Sequence, residues 1–136
     1  MQDIVEALID HLLTVTAVTT LVSTRIYGGD LDADEVVNMP RKNVVIAQAG
    51  GIEEFRTATI SRPRFDIFSY GEGYYQAGQV DRAVADALKA ISRTVANSTL
   101  LHTAGYGQPV RLKHPAAGWE YMLRSVTIIA GETAVV

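Results

Sequence analysis

The chain has 136 residues, of which 48% are apolar and 20% charged, a composition typical of one globular domain and not of a disordered or membrane-embedded chain. It contains no cysteine, which excludes disulfides, thiolate catalysis and cysteine-ligated zinc. The formal net charge of −3 argues against a protein that wraps nucleic acid or binds it sequence-specifically, because phosphate binding needs clustered Lys and Arg.

The N-terminal segment carries apolar residues at helical spacing, which predicts an amphipathic helix that covers a sheet. The stripe consists of Ile4, Leu8, Leu12 and Val15, widened by Val5, Ile9 and Leu13. The opening residues lack the basic stretch and cleavage site of a secretory signal, so we expect the protein to mature in a cytoplasm. Apolar runs are far shorter than the roughly 20 residues that cross a bilayer, and we expect no membrane contact.

A short second helix and a short strand are predicted next. Val18, Leu21 and Val22 fit one helical turn and a half, and Arg25-Ile26-Tyr27 reads as a strand that Gly28-Gly29 ends.

Residues 28–42 predict a long, exposed loop, where partners often bind. Its acidic residues are Asp30, Asp32, Asp34 and Glu35. The stretch imitates the start of a calcium loop, but Glu35 stands where a glycine is needed and Arg41 where a bidentate Glu is needed. A solvated loop and a charged docking surface therefore remain as the two interpretations.

Two strand patterns follow the loop. Residues 43–48 form a short apolar run ended by Gly50-Gly51, and residues 56–70 alternate with a change of phase around Pro63. Proline cannot donate to a ladder, so we predict a bulge or a sheet edge there. Arg62 and Arg64 share one parity and should project from one sheet face, either into solvent or toward the acidic loop of a neighbouring subunit.

A long helix is predicted from Tyr74 to Val95, with a central apolar stripe and flanking alanines. The stripe is Val80, Val84, Leu88, Ile91 and Val95. The preceding Gly71-Glu72-Gly73 resembles the start of a dinucleotide fingerprint, but Gln76 occupies the third glycine position, which favours a simple turn. Tyr74 and Tyr75 fit two roles equally well: anchors of a subunit interface, or a clamp between the helix start and the sheet.

The last third predicts further strands. Residues 99–102, 108–113 and 119–130 carry strand patterns, and a Pro115-Ala116-Ala117-Gly118 turn makes the last two a hairpin. In the final strand, Tyr121 and Leu123 share one parity whereas Val126 and Ile128 share the other, so we expect that strand to change the face it buries.

No arrangement typical of a catalytic or metal site is present. His11, His102 and His114 lack the spacing of a zinc helix, and no serine lies in a nucleophile elbow. We therefore expect one domain, 1–136, that is not an enzyme and needs no cofactor and no metal.

The order of these segments resembles that of the tail terminator or tail completion proteins of long-tailed phages, of the lambda tail-terminator type. The segments that carry the resemblance are 17–22, Arg25-Ile26-Tyr27-Gly28, Met39-Pro40 before Asn43-Val44-Val45-Ile46, 64–70, 83–88 and the closing strand 119–130.

This resemblance implies an α+β fold in which a single mixed or antiparallel sheet has helices packed on one face. It implies a structural phage or prophage protein, located in the neck region of the virion tail and in the host cytoplasm during assembly. The family forms a homohexameric ring that terminates the tail tube and joins it to the head or neck. Its partners are other copies of itself, the tail tube protein and a head-completion or neck protein, and DNA can pass through the ring's lumen. In such a ring, Asp30, Asp32, Asp34, Glu35, Arg62, Arg64, Tyr74 and Tyr75 are the candidate interface residues.

Two alternatives remain from the sequence. One is another head-tail connector of the neck. The other is a small cellular ligand-binding or enzymatic α+β domain, which should show a deep pocket and a ligand-dependent melting shift.

Overall fold

The computed structural model describes residues 4–29, 35, 37–39, 41–53, 60–96, 99–115 and 117–132. Within these residues the fold is α+β, as predicted. The helices are α1 (Ile4–Leu13), α2 (Thr16–Val22) and α3 (Tyr74–Lys89). The strands are β1 (Ile26–Gly28), β2 (Asn43–Glu53), β3 (Ile60–Tyr70), β4 (Thr94–Ala96), β5 (Thr99–Tyr106), β6 (Val110–Lys113) and β7 (Glu120–Glu132).

The strands form one mixed sheet in the order β1-β2-β3-β7-β5-β4. β1 runs parallel to β2, and the other neighbours are antiparallel. β6 also pairs with β7, along residues 120–123, whereas β5 pairs with residues 126–132. β5 and β6 therefore lie end to end along the same side of β7.

The helices cover one face of the sheet, as predicted. Alternate residues of the central strands turn toward them, and these side chains are fully buried or nearly so. The sheet's contribution to this core is Val44, Ile46, Phe65, Ile67, Leu101, Val126, Ile128 and Ala130. The opposite side, on which none of α1, α2 and α3 packs, is referred to below as the helix-free face.

α1 contacts strands at both sides of the sheet, β1 and β2 near one edge and β4 at the other. Since one short helix reaches both edges, the sheet curls around its helices. The Nε2 of His11 donates to the Ala87 carbonyl of α3 at 3.0 Å, satisfying one of the carbonyls that a helix end leaves without a partner.

None of the helices in the described ranges is, by itself, long and apolar enough to cross a membrane. α1 and α2 together meet those criteria only as a pair bent by 91°.

α3 begins at a glycine turn, as predicted, and ends earlier than predicted. A Cβ on Gly71 would lie 2.5 Å from the Ala77 backbone nitrogen, so this position requires glycine. The helix ends at Lys89, and the chain reverses through Arg93, which adopts a positive φ of 52°. Val95 therefore lies on β4 and is 61% exposed, so its assignment to the helix core was wrong.

The bulge predicted near Pro63 is confirmed, but the edge position is wrong. Pro63 lies in β3, an interior strand between β2 and β7. The extra residue is in the facing strand, where the register shifts between Gln48 and Gly51. Ala58, which contributed to the predicted phase change, lies outside the described residues.

The hairpin of β6 and β7 is confirmed, and β7 does not switch faces. Its register with β3 runs without a bulge from Tyr121 to Gly131. Val126 and Ile128 are buried toward the helices, whereas Tyr121 and Leu123 lie half-buried on the helix-free face. The mixed parity in the sequence therefore reflects apolar residues on both faces of one regular strand.

Candidate interaction surface

The helix-free face has an aromatic end and a charged end. On β3, Phe68 and Tyr70 turn to this face at one end of the strand, and Arg62 and Arg64 turn to it at the other. Along β3, this face therefore carries aromatic side chains at one end and arginines at the other.

The aromatic end is a connected cluster of rings. The centroid of Tyr121 lies 5.7 Å from that of Phe68 and 5.2 Å from that of Tyr70. Tyr70 in turn meets Trp119 edge to face, with 6.4 Å between centroids. Aromatic pairs at these separations add about 0.5–1.5 kcal/mol beyond the area they bury. The cluster thus forms a group of packed rings on the face opposite to α1, α2 and α3.

Glu35 packs beside this end and is the centre of a polar network. Its carboxylate accepts hydrogen bonds from both Nε and Nη2 of Arg41, and the distance from Nη2 to Oε2 is 2.6 Å. The Tyr27 hydroxyl donates to Oε2 at 3.0 Å, and the Asn43 amide nitrogen lies 3.4 Å from Oε1. Glu35 is only 5% exposed, so these donors replace the water that a surface carboxylate would bind.

The network changes the acidity of Glu35. The hydrogen bonds from Arg41, and then those from Tyr27 and Asn43, hold the pKa of this carboxyl below its usual value, while burial opposes the shift. Glu35 therefore stays charged and paired at neutral pH.

The expectation that the whole acidic stretch is exposed is wrong for Glu35. The residue is buried because Arg41, six positions later, and Tyr27 on β1 supply donors that fold the end of the loop onto the sheet. Asp30, Asp32 and Asp34 lie outside the described residues.

Arg62 and Arg64 project from the helix-free face and are exposed, as their shared parity predicts. Between them Pro63 turns inward and is buried. Asp66, next in the same row, accepts a hydrogen bond from the Ser125 hydroxyl at 3.1 Å. The charged end is therefore a polar surface on an otherwise regular sheet.

Tyr74 and Tyr75 have different environments. The Tyr74 N–H donates to Glu120 at 2.9 Å, and the guanidinium carbon of Arg111 lies 5.2 Å from the centre of its ring. Tyr74 thus ties the start of α3 to the hairpin of β6 and β7, as in the clamp interpretation. Tyr75 is 76% exposed. Of the two, it is the ring available to a partner.

A buried ion pair escaped the sequence analysis. Asp81 of α3 and Arg124 of β7 are 2% and 8% exposed, and two hydrogen bonds of 3.0 and 2.7 Å join them. The sequence gives two signals for it. Asp81 is a charged residue at a helix position that faces the sheet, and Arg124 is a charged residue among the inward-facing apolar positions of the last strand. A separation of 43 residues hides their pairing.

Within the part of the chain that the structure describes, no three His, Cys, Asp or Glu side chains lie close enough to hold a metal ion. The described residues instead provide surfaces for contact with other proteins. These are the aromatic cluster, the exposed Tyr75, and Arg62 with Arg64, referred to below as the arginine row.

Comparison with known proteins gives a match of fold. No protein-family model and no curated protein matches the sequence. Among solved structures, the chain is similar to a chain from the virion of a native gene transfer agent particle. The superposition has a TM-score of 0.74, covers 93% of each chain and shows 15% sequence identity. At that identity the likeness shows a shared fold.

Proposed function

We propose that the chain is a structural protein of a phage, prophage or phage-like particle, located in the neck region of the tail. There it forms a ring, a homohexamer, that terminates the tail tube and joins it to the head or neck. The ring acts through shape and charge, needs no cofactor, and lets DNA pass through its lumen without reading its sequence.

The observation that carries this proposal is the fold likeness to a chain of a virion, which extends over nearly the whole of both chains. Agreement over 93% of each chain means that the shared unit is the entire domain and not one common motif. The described residues add surfaces suited to protein contacts, Tyr75 and the arginine row, to that likeness.

The tail-terminator assignment, as distinct from a virion protein in general, rests on the resemblance in segment order. Its partners would be the tail tube protein on one side and a head-completion or neck protein on the other. A ring subunit repeats one heterologous contact until the rotation closes, which leaves two different ring faces for two partners.

The test is assembly on purified components. The chain is mixed with tail tubes from the phage or prophage that encodes it, and the mixture is studied by sedimentation and electron microscopy. We expect rings at one end of each tube and tubes that no longer elongate when more tube protein is added. Rings that bind head connectors and leave tubes free to grow would instead indicate a neck component. A chain that stays monomeric with every component would contradict the proposal.

A further inference from the structure

One half of the sheet ends at β1 on one edge and at β6 on the other. β1 pairs with residues 44–46 of β2, and β6 pairs with residues 120–123 of β7. Among the described residues, neither strand has a further strand on its outer side. Unpaired N–H and C=O groups on such an edge form a template for another strand.

β1 and β6 lie at the same level along the strands. Tyr27 of β1 lies opposite Val45, which lies opposite Phe68 of β3. Phe68 lies opposite Leu123 of β7, and Leu123 lies opposite Val110 of β6. A line drawn across the strands therefore enters the sheet at Tyr27 and leaves it at Val110.

On β1, the backbone groups of Ile26 and Gly28 point away from the sheet. The Arg25 carbonyl accepts a hydrogen bond from β2 at 3.1 Å, and the Gly29 N–H donates one to β2 at 2.8 Å. Residues that bond to β2 alternate with residues that point outward, and Ile26 and Gly28 are in the outward phase. The Ile26 N–H donates to the Thr24 carbonyl at 2.8 Å, so Ile26 presents its carbonyl to a neighbour.

On β6, the backbone groups of Arg111 point away from the sheet. The His114 N–H donates to the Trp119 carbonyl at 2.7 Å, so the even-numbered residues of this antiparallel pair bond to β7. Arg111 and Lys113 alternate with them, and their N–H and C=O groups point outward. Arg111 therefore presents a donor where Ile26 presents an acceptor.

A second copy that is moved sideways, without a shift along the strands, fits this edge. β1 is parallel to β2, and the steps from β2 to β3, β7 and β6 are antiparallel, so β1 and β6 run in opposite directions. β1 of the second copy would lie antiparallel beside β6, with Ile26 opposite Arg111. The same register places Tyr27 and Val110 next to each other on the helix-free face.

The described residues of the other edge strand, β4, leave room for this contact. Thr94 of β4 is level with Ser61 of β3, whereas Gly28 of β1 is level with Ile67. The stretch from Ser61 to Ile67 is about 20 Å of extended strand. β4 of one copy and β1 of the next would therefore lie end to end along the same line, without overlap.

Exposed apolar side chains lie at both ends of the line from Tyr27 to Val110. Val110 is 53% exposed. At the other edge, the Tyr27 hydroxyl holds the turn from Glu35 to Asn38, and Val37 on that turn is 82% exposed. Bringing the two edges together places Val110 beside Tyr27 and removes apolar surface from water.

The charges on the helix side of the two edges are of opposite sign. Arg111 and Lys113 of β6 are exposed, and the guanidinium of Arg111 lies against the ring of Tyr74 on α3. In the neighbouring copy, α1 packs on β1, and its exposed residues include Glu6 and Asp10. Opposite charges across a contact favour this orientation and suppress others.

We propose that β1 of one copy adds to the outer side of β6 of the next, so that the sheet continues from subunit to subunit around the ring. The hydrogen bond from the Arg111 N–H to the Ile26 carbonyl sets the register, and the contact of Tyr27 with Val110 adds apolar area. Because β1 and β6 are different edges, the contact is heterologous, which is the kind that a closed ring repeats. The inference rests on the ring proposed above and names the surface through which it closes.

A cysteine pair tests this geometry, because the chain has no cysteine of its own. In the proposed register, Tyr27 and Val110 form a non-hydrogen-bonded pair, whose Cα atoms lie about 4.5 Å apart, within reach of a disulfide. Within one copy, β2, β3 and β7 separate the same two residues, so a disulfide between them joins two copies.

A second pair, Arg25→Cys with Leu112→Cys, belongs to the same register and leaves the hydrogen bond from Tyr27 to Glu35 intact. The matched control combines Tyr27→Cys with Thr127→Cys, because Thr127 is exposed on the same face but lies on the interior strand β7. After oxidation in the presence of tail tubes, we expect both test pairs to give a ladder of linked multimers up to the ring. The control pair should give monomers on a non-reducing gel. Circular dichroism of the reduced proteins checks that all three are folded.

A proline at position 111 tests the hydrogen bond itself. The Arg111 N–H points outward, so Arg111→Pro should leave β6 paired with β7 and remove the donor to Ile26. Arg111→Ala keeps the N–H and is the matched control. We expect Arg111→Pro to prevent ring formation in sedimentation and Arg111→Ala to retain it. Equal ring formation by the two variants would overturn the proposed pairing.

The remaining outcomes separate this inference from the ring itself. Rings seen by sedimentation, without crosslinks in either test pair, would overturn edge pairing and leave the ring standing. Crosslinking of the test pairs no greater than that of the control would indicate random collision and overturn edge pairing as well. A folded chain that stays monomeric with tail tubes and up to its solubility limit would overturn both proposals.

Discussion

Arg124 and Asp81 form a two-point ion pair between the sheet and the helix that covers it, with both side chains buried. Arg124 also donates from Nη1 to the Gly107 carbonyl at 2.9 Å, at the break between β5 and β6. The guanidinium thus joins α3 to the point where the edge of the sheet passes from one strand to the next.

Breaking this pair should destabilise the protein strongly. Asp81→Ala leaves a buried guanidinium without its counter-charge, which costs about 3–5 kcal/mol. A double variant, Asp81→Leu with Arg124→Met, removes both charges and should lie within about 1–2 kcal/mol of the wild type, since apolar replacements of buried pairs are often neutral or better. Urea unfolding measures the free energy of unfolding of the single and the double variant. A double variant as unstable as Asp81→Ala would mean that the pair is needed for more than charge balance.

Truncation of the α3 stripe should separate true core positions from the exposed one. Leu88→Ala and Val84→Ala each remove a side chain at most 1% exposed and should cost about 2–4 kcal/mol, with valine at the lower end. Val95→Ala, on β4, should change stability by no more than about 0.5 kcal/mol because the side chain is mostly in solvent. Chemical denaturation of the three variants measures the loss in free energy of unfolding. Similar losses for all three would contradict a helix α3 that ends at Lys89.

The Glu35 network should make stability depend on pH. Its pKa is lowered in the folded protein, so its contribution is complete above the unfolded pKa and is lost as pH falls through the folded value. Glu35→Gln should cost about 1–2 kcal/mol at pH 7, near the low end for hydrogen bonds to a charged group because solvent screens the exposed part of Arg41. The difference between variant and wild type should shrink in acid. A difference that is constant from neutral pH to below the folded pKa would show that charge is not its origin.

Charge on the acidic loop and the arginine row should affect assembly more than folding. The sequence predicts that Asp30, Asp32 and Asp34 lie in an exposed loop, so their replacement by Asn should leave monomer stability nearly unchanged, since charge pairs in solvent contribute about 0–1 kcal/mol each. Ring formation, tail joining or their salt dependence should change, and Arg62→Gln with Arg64→Gln should have a matching effect if the two groups meet between subunits. Glu35 is left intact because of its structural role.

Sedimentation at low and high salt measures ring formation by these charge variants, and complementation of a terminator-deficient phage measures tail joining. Wild-type behaviour of the loop variant in both assays would reduce the loop to a solvated surface. Tyr75, 76% exposed, would then be the better interface candidate, and Tyr75→Ser should weaken assembly without loss of stability.

Periodicity in the sequence was sufficient for most of the elements. Phe65 and Ile67 alternate, and Val84 and Leu88 lie one helical turn apart, so each pattern identifies both the element and its buried face. Parity also placed Arg62 and Arg64 on one face. Local spacing carries this information because each face is buried against a single layer.

Two of the errors, at Val95 and Glu35, depend on a turn or on partners without a local signal. Val95 continues the helical spacing from Ile91, but the chain reverses at Arg93, and a positive φ at a residue other than glycine or asparagine has no sequence signature. Glu35 reads as solvated because nothing near it in the sequence shows that Tyr27 and Arg41 converge on its carboxylate.

The reach of α1 to both edges of the sheet has a consequence for how the chain folds during synthesis. His11 bonds to a carbonyl 76 positions away, and the same helix packs on β4, at residues 94–96. The apolar stripe of α1 is made well before β4, so its complete binding surface exists only after residues 94–96 have been made. Contacts of such sequence separation slow folding, and a face that waits for its partner is exposed to association in the meantime. The apolar stripe of α1 is therefore fully covered only after β4 has been made.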